Sequence, residues 1–166
     1  PFTFAINLIN EGTGLIGPKA SVTAPTAVFW MGYNNFYAYN GTVQSLPCSV
    51  QNYIFSDINL TQSFKINAFT INDKSEIGWF YCSASSTEID RYVIYNYVEQ
   101  TWIYGSLSRT AWLDSGIENY PRAVSSGYIY QQEVGFDDDG TPMTNVFIES
   151  SDFDIGDGDK FSFIRR

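Results

Sequence analysis

The chain has 166 residues, enough for one domain with its own core, and its 44% hydrophobic content places it among globular rather than disordered proteins. Aromatic residues reach 17% while charged residues stop at 16%, which suits pleated sheets and disfavours long helices. A formal charge of −9 with no His argues against a grip on nucleic-acid phosphates and excludes Ser-His-Asp and Cys-His nucleophilic schemes within the chain.

In chain order, FAINLI (Phe4–Ile9) reads as a strand and EGTGLIGPKA as a loop. AVFWMG (Ala27–Gly32) is a short apolar strand, and YNN after it is a turn. FYAYNG (Phe36–Gly41) alternates and closes on Asn-Gly, a strong hairpin signal, with TVQSLP as the returning strand. The stretch from Ser49 to Phe64 spaces Ile, Leu and Phe as a short helix would, with Ser56 or Asp57 as the cap. KINAFTI and EIGWFYC (Glu76–Cys82) are strands around an NDKS turn, and SASSTEID is a polar loop. RYVIYNY, VEQ and TWIYGSL make a hairpin, and RTAWLDSG leads out of it. RAVSSGYIYQQEVG repeats the pattern, FDDDGTPM is an acidic loop, and NVFIESSDFDI and DKFSFIRR are two further strands around a DIGDGD turn.

The segments FYAYNGTVQSL, YVIYNYVEQTW and GYIYQQEVGF align. Each is a strand with Tyr at its fourth position (Tyr39, Tyr95, Tyr130), then a short turn and a hydrophobic restart. A further strand precedes each one: AVFWMG, EIGWFYC and RAVSS. The unequal intervals bracket the roughly 40–50 residues of a propeller blade, the longer one accommodating the helix. Short strands at such intervals also fit a sandwich. The expected fold class is all-β, with propeller-like blades of antiparallel strands. Residues 1–166 form a single β domain with about three hairpin units, part of a longer chain. The start at Pro1 and the stop at Arg166 directly after FSFI suggest a cut at both ends.

Several groups could carry chemistry. GTGLIG (Gly12–Gly17) matches a dinucleotide fingerprint, but Pro18 to Pro25 leaves no room for the helix whose amides would hold a pyrophosphate. The Asp/Gly turns FDDDG (Phe136–Gly140) and DFDIGDGD (Asp152–Asp159) could offer oxygens to Ca²⁺, though ordinary turn chemistry explains them. Glu76, Glu88, Asp90 and Asp114 flank the aromatic run and could supply the carboxylate pair of a glycosidase. Asp90–Arg91 beside Arg109 reads as an ion pair between blades or at the surface. Cys48 and Cys82 could pair, or stay as packed free thiols. Trp30, Trp79, Trp102 and Trp112 read mainly as core, because both faces of a blade are covered by neighbours. No segment is long and apolar enough to read as a membrane span.

FWMGYNNFYAYNGTVQSLPC, IFSDIN, the run EIGWFYCSASSTEIDRYVIYNYVEQTWIYGSLSRTAWLDSG and the closing ESSDFDIGDGDKFSFIRR together resemble the tail hub, nozzle or "DNA stabilisation" proteins of short-tailed phages and their marine relatives. The resemblance spans the chain from about Gly14 onward. It implies a β-propeller in a ring of copies beneath the portal, localised to the virion and assembled in the host cytoplasm. Such a part seals the channel after packaging and conducts DNA at ejection. The implied partners are other copies of itself, portal or adaptor and other tail proteins, and DNA that passes without specific binding, with no membrane segment. It implies no enzyme activity, no cofactor, and no catalytic, cofactor-binding or metal-binding residue. The −9 charge suggests an acidic inner surface past which DNA slides. The alternative reading is a carbohydrate-binding module for host-surface glycan.

Overall fold

The structure, a computed structural model, describes residues 6–144 and 146–148. It divides into two units, Pro1–Val134 and Gly135–Arg166. The first unit contains three antiparallel sheets, each a simple meander. Sheet I joins β1 (Ser21–Thr23), β2 (Val28–Met31), β3 (Phe36–Tyr39) and β4 (Val43–Ser45) in that order. After α1 (Gln51–Asp57) and a 3₁₀ helix (Leu60–Lys65), sheet II joins β5 (Asn67–Ile71), β6 (Glu76–Tyr81), β7 (Arg91–Asn96) and β8 (Thr101–Ser106). Sheet III follows with β9 (Ala111–Leu113), β10 (Arg122–Ser125) and β11 (Tyr128–Gln131). In the second unit, β12 (Asp137–Asp138) pairs with β13 (Thr141–Pro142). The fold is all-β, built of blade-like sheets, none of them closed.

The turns explain the meanders. Gly41 has φ of 115° between β3 and β4, a conformation cheap only without a Cβ. Between β7 and β8, the Asn96 side chain accepts hydrogen bonds from the amides of Val98 and Glu99, the local bonding that favours Asn in turns. Ser126 and Gly127, with φ of 50° and 81°, form a two-residue link between β10 and β11, matching the twist of the paired strands.

The tyrosine repeat corresponds to a structural repeat. FYAY, YVIY and YIY lie on β3, β7 and β11, the third strand of each sheet, and the segments before them lie on β2, β6 and β10. The helical insertion sits between sheets I and II, as the longer interval suggests.

Other expectations are corrected. Residues 6–9 of FAINLI form no strand and stand exposed, paired with none of the described strands, and an extended segment without a partner is not held as a strand; Phe4 and Ala5 lie outside the described residues. Ser56 and Asp57 do not cap the helix: they end α1, whose N-cap is Val50 with no side-chain bond. The helix stops at Ile58, which turns extended to bridge to Ser83. The 3₁₀ helix carries its own cap, Asn59, which accepts from the Thr61 amide. Strands β1 and β9 occupy stretches with no strand expected, SVT and AWL. FDDDGTPM contains the β12–β13 hairpin rather than a plain loop. Val146–Ile148 of NVFIESSDFDI form no strand, while the rest of that segment and all of DKFSFIRR lie outside the described residues.

Alternation along the strands gives sheet II two apolar faces. Ile77, Trp79, Tyr81, Val93 and Tyr95 join Phe29, Met31 and Phe36 of sheet I in one core. Phe69, Ile71, Phe80 and Ile94 join Trp112 of sheet III in the second. Rings interlock across each seam: Phe36 to Trp79 at 4.9 Å between centroids, Phe69 to Trp112 also at 4.9 Å. The sheets meet at their first strands, where the Ala68 amide donates to the Lys19 carbonyl at 2.8 Å beside a parallel Lys19–Asn67 bridge. α1 packs against both sheets through Phe55 on Phe36 and Tyr53 on Tyr104.

Candidate functional site

Indole N–H groups fasten each seam. Trp79, fully buried, donates to the Ala20 carbonyl just before β1 at 2.9 Å. Trp112 on β9 donates to Thr70 on β5, also at 2.9 Å. Trp102 on β8 donates to the Pro47 carbonyl beyond β4 at 2.9 Å. The Trp79 bond pairs a polar atom that burial would otherwise leave unsatisfied. The Trp residues are thus mainly interior, as expected.

The two outward faces of the stack are different. On sheet I, the side opposite sheet II carries Val28, Trp30, Tyr37, Tyr39 and Val43, all only partly buried. Trp30 and Tyr37 stack at 5.5 Å, and the Trp30 indole donates to the Thr13 carbonyl at 2.7 Å. A groove of about 610 Å³ runs between this face and residues 6–10. On sheet III, the side opposite sheet II carries the row Ala111, Val124 and Ile129, with Ile129 71% exposed, and beside it the row Leu113, Arg122 and Gln131. These two outward faces are the candidate site, surfaces that offer apolar rows for packing.

The acids near the aromatic run are held separately. Glu88 pairs with Lys65 at 2.7 Å. Asp90 accepts from the Ser83 amide and hydroxyl at 2.8 and 2.7 Å. Asp114 accepts from the Asn72 amide and side chain, tying β9's exit to β5's end. Glu76 opens β6, where burial raises its carboxyl above the ordinary range; Lys74 opposes the shift, and Glu133 and Glu99 add to it. Their partners thus lie in four separate local settings, and no carboxylate pair across a cleft is formed by them.

Arg91 reaches Asp57 at 3.6 Å and Asp90 at 3.8 Å, so the expected Asp90–Arg91 pair forms and also holds α1. Arg109 goes elsewhere: buried, its guanidinium lies 4.5 Å from the Tyr130 ring centre. Sequence reasoning missed the knot of Asp57, Tyr81 and Arg91. There, among the described residues, the Tyr81 hydroxyl, Asp57 Oδ2 and Arg91 Nε find no partner within hydrogen-bond distance, Arg91 Nε and Asp57 Oδ2 facing each other as an ion pair at 3.6 Å. Burial, then the Asp57 charge, pushes the Tyr81 phenol above its usual range.

GTGLIG is a connector. A Cβ on Gly17 would stand 2.2 Å from the Ser63 carbonyl oxygen, whereas one on Gly14 would meet nothing. The last glycine serves a close backbone approach to the 3₁₀ helix. In FDDDG, Asp137 accepts from the Gly140 amide, as an Asp-led turn does. Among the described residues no group of three or more His, Cys, Asp or Glu could hold a metal ion; DFDIGDGD lies outside them. Cys48 and Cys82 are free thiols, and burial pushes Cys48 up to about 11. No helix among the described residues is long and apolar enough to cross a membrane. No protein-family model matches the chain, and none of the curated proteins compared with it matches.

Proposed function

We propose that the chain is a structural part of a bacteriophage tail, a hub or nozzle component that works in several copies around the channel, seals the portal exit and conducts DNA at ejection. One observation carries the reading: blade-like sheets stack by a repeated contact, and among the described residues no further sheet covers the outer side of sheet I or of sheet III. Such a part acts by being packed against. The resemblance of Phe29–Cys48 and Glu76–Gly116 to tail hub and nozzle proteins supplies the setting.

In this reading the lining is sought at the first strands, and the acidic inner surface suggested by the −9 charge is a property of the assembled ring. The first strands, where the sheets converge, read SVT, NAFTI and AWL and carry no charged side chain. With Lys19, bridged to Asn67, as a charged neighbour, such a sparsely charged edge would hold phosphates only weakly, which suits a conduit for DNA. The test is mass spectrometry of purified virions with antibody labelling of the particles. The chain is expected in stoichiometric amounts at the tail end; its absence from particles contradicts the role.

A second reading rests on the stacked Trp30 and Tyr37 beside the open groove, a surface on which a sugar ring could lie. A glycan array separates the two. Binding lost in Trp30→Ala and Tyr37→Ala would favour a carbohydrate-binding module; no binding by the intact chain leaves the structural role.

A further inference from the structure

The open face of sheet I has the register of the sheet II face that packs on sheet I. On sheet II, Ile77 stands opposite Tyr95, and Trp79 opposite Val93. On sheet I, Val28 stands opposite Tyr39, and Trp30 opposite Tyr37. Tyr95 continues to Trp102 on the fourth strand, as Tyr39 continues to Val43. Trp30 therefore holds the place of Trp79, and Tyr39 that of Tyr95. The equivalence extends to the indole bond: Trp79 donates to a carbonyl of the sheet before it, and Trp30 to Thr13 of the preceding segment.

The free face of sheet III has the complementary register. Sheet I meets sheet II with the row Val22, Phe29 and Ala38, paired across β1, β2 and β3. The matching row across β9, β10 and β11 is Ala111, Val124 and Ile129. Among the described residues, sheets I and III thus carry the two halves of a contact that the first unit makes twice inside itself. Ile6 and Leu8, beside the sheet I face, are 96% and 76% exposed and pack little of themselves onto it.

We propose that a second copy of this chain docks head to tail, with the Ala111–Val124–Ile129 row of one copy laid on the Val28–Trp30–Tyr39 face of the other. The occupant is a second copy because the contact continues the seams between sheets I and II and between sheets II and III. A head-to-tail contact closes into a ring or runs on as a filament. Two copies bring six such sheets together, inside the roughly 4–8 blades over which propellers close. This deepens the reading of the chain as a multi-copy part. Association in solution tests the contact alone, whereas virion composition tests the tail role, so the two can fail separately.

The experiment uses sedimentation velocity and native mass spectrometry on the 166-residue chain, on Val43→Glu in the sheet I face, and on Ile129→Glu in the sheet III face. The intact chain is expected to associate, and each variant alone to associate at least ~100-fold more weakly, because each buries an unpaired carboxylate in an apolar contact. An equimolar mixture of the variants is expected to form a one-to-one complex, since one partner keeps an intact sheet III face and the other an intact sheet I face. Near-UV circular dichroism reports folding. If Val43→Glu loses its tertiary signal, Ser45→Glu, exposed on the same face, replaces it. A monomeric intact chain, variants that associate as the intact chain does, or a mixture that stays monomeric would each overturn the proposal.

Discussion

At the scale of single residues, Trp79 shows how an aromatic-rich sequence becomes a specific fold. Its ring joins sheets I and II, and its N–H satisfies the Ala20 carbonyl inside the core. Trp79→Phe keeps much of the apolar contact but removes the donor. The expected cost is about 2 kcal/mol, from a lost buried hydrogen bond and a small cavity, read as a lower urea midpoint. An unchanged midpoint would mean that the indole bond contributes nothing. Gly17 makes a second test. Gly17→Ala sets a Cβ against the Ser63 backbone and is expected to cost about 1–3 kcal/mol, while Gly14→Ala is expected to leave the midpoint nearly unchanged. Equal effects at both positions would contradict the packing role. Glu76 gives a pH signature. Its folded carboxyl binds a proton more readily than the unfolded one, so its penalty grows as pH rises through the unfolded and then the folded value. Glu76→Gln is therefore expected to raise Tm at about pH 7, with the gain vanishing near pH 3, below the ordinary carboxylate range. A gain that persists at about pH 3 would refute this cause.

At the scale of elements, the hairpins were legible because their signals are local. Alternation and turn residues mark β2–β3–β4, β6–β7–β8 and β10–β11, and the recurring Tyr marks the third strand of each sheet. β1 and β9 were not legible: three residues show no period, and although each pairs with the next strand, neither connection carries an Asn-Gly-type hairpin signal. FAINLI failed for the opposite reason. It has a strand-like composition, but composition cannot supply an edge to pair with. The helix was placed correctly but given the wrong cap, because Ser and Asp cap a helix only when the chain enters there, and Ile58 makes it leave. The two apolar end faces were not legible either, since sequence does not show which side of a sheet a neighbour covers. The β10–β11 turn offers a check at this scale. Both Ser126 and Gly127 have positive φ, and Asn-Gly suits such a turn better than Ser-Gly. Ser126→Asn is expected to raise Tm by a few degrees, on the order of 0.5–1 kcal/mol; a lower Tm would contradict the turn geometry.

At the scale of the whole first unit, three sheets share one construction. Sheets II and III each turn a tyrosine-bearing face to the sheet before them, and sheets I and II each turn an apolar row to the sheet after them, so the stack has a direction. The aromatic run from Ile89 to Gly105, which alone suggests a ligand platform, is mostly the interior of this stack: Val93, Ile94 and Tyr95 are buried, and Trp102 packs on Phe36. On the reading proposed above, this directional stack is a part for assembly, with its uncharged first strands turned to the passage. Cryo-electron microscopy of the particle tail tests this most directly. The expected result is density for the three sheets repeated around the channel axis, with the first strands innermost. Density for the chain on a peripheral fibre, away from the axis, would contradict it.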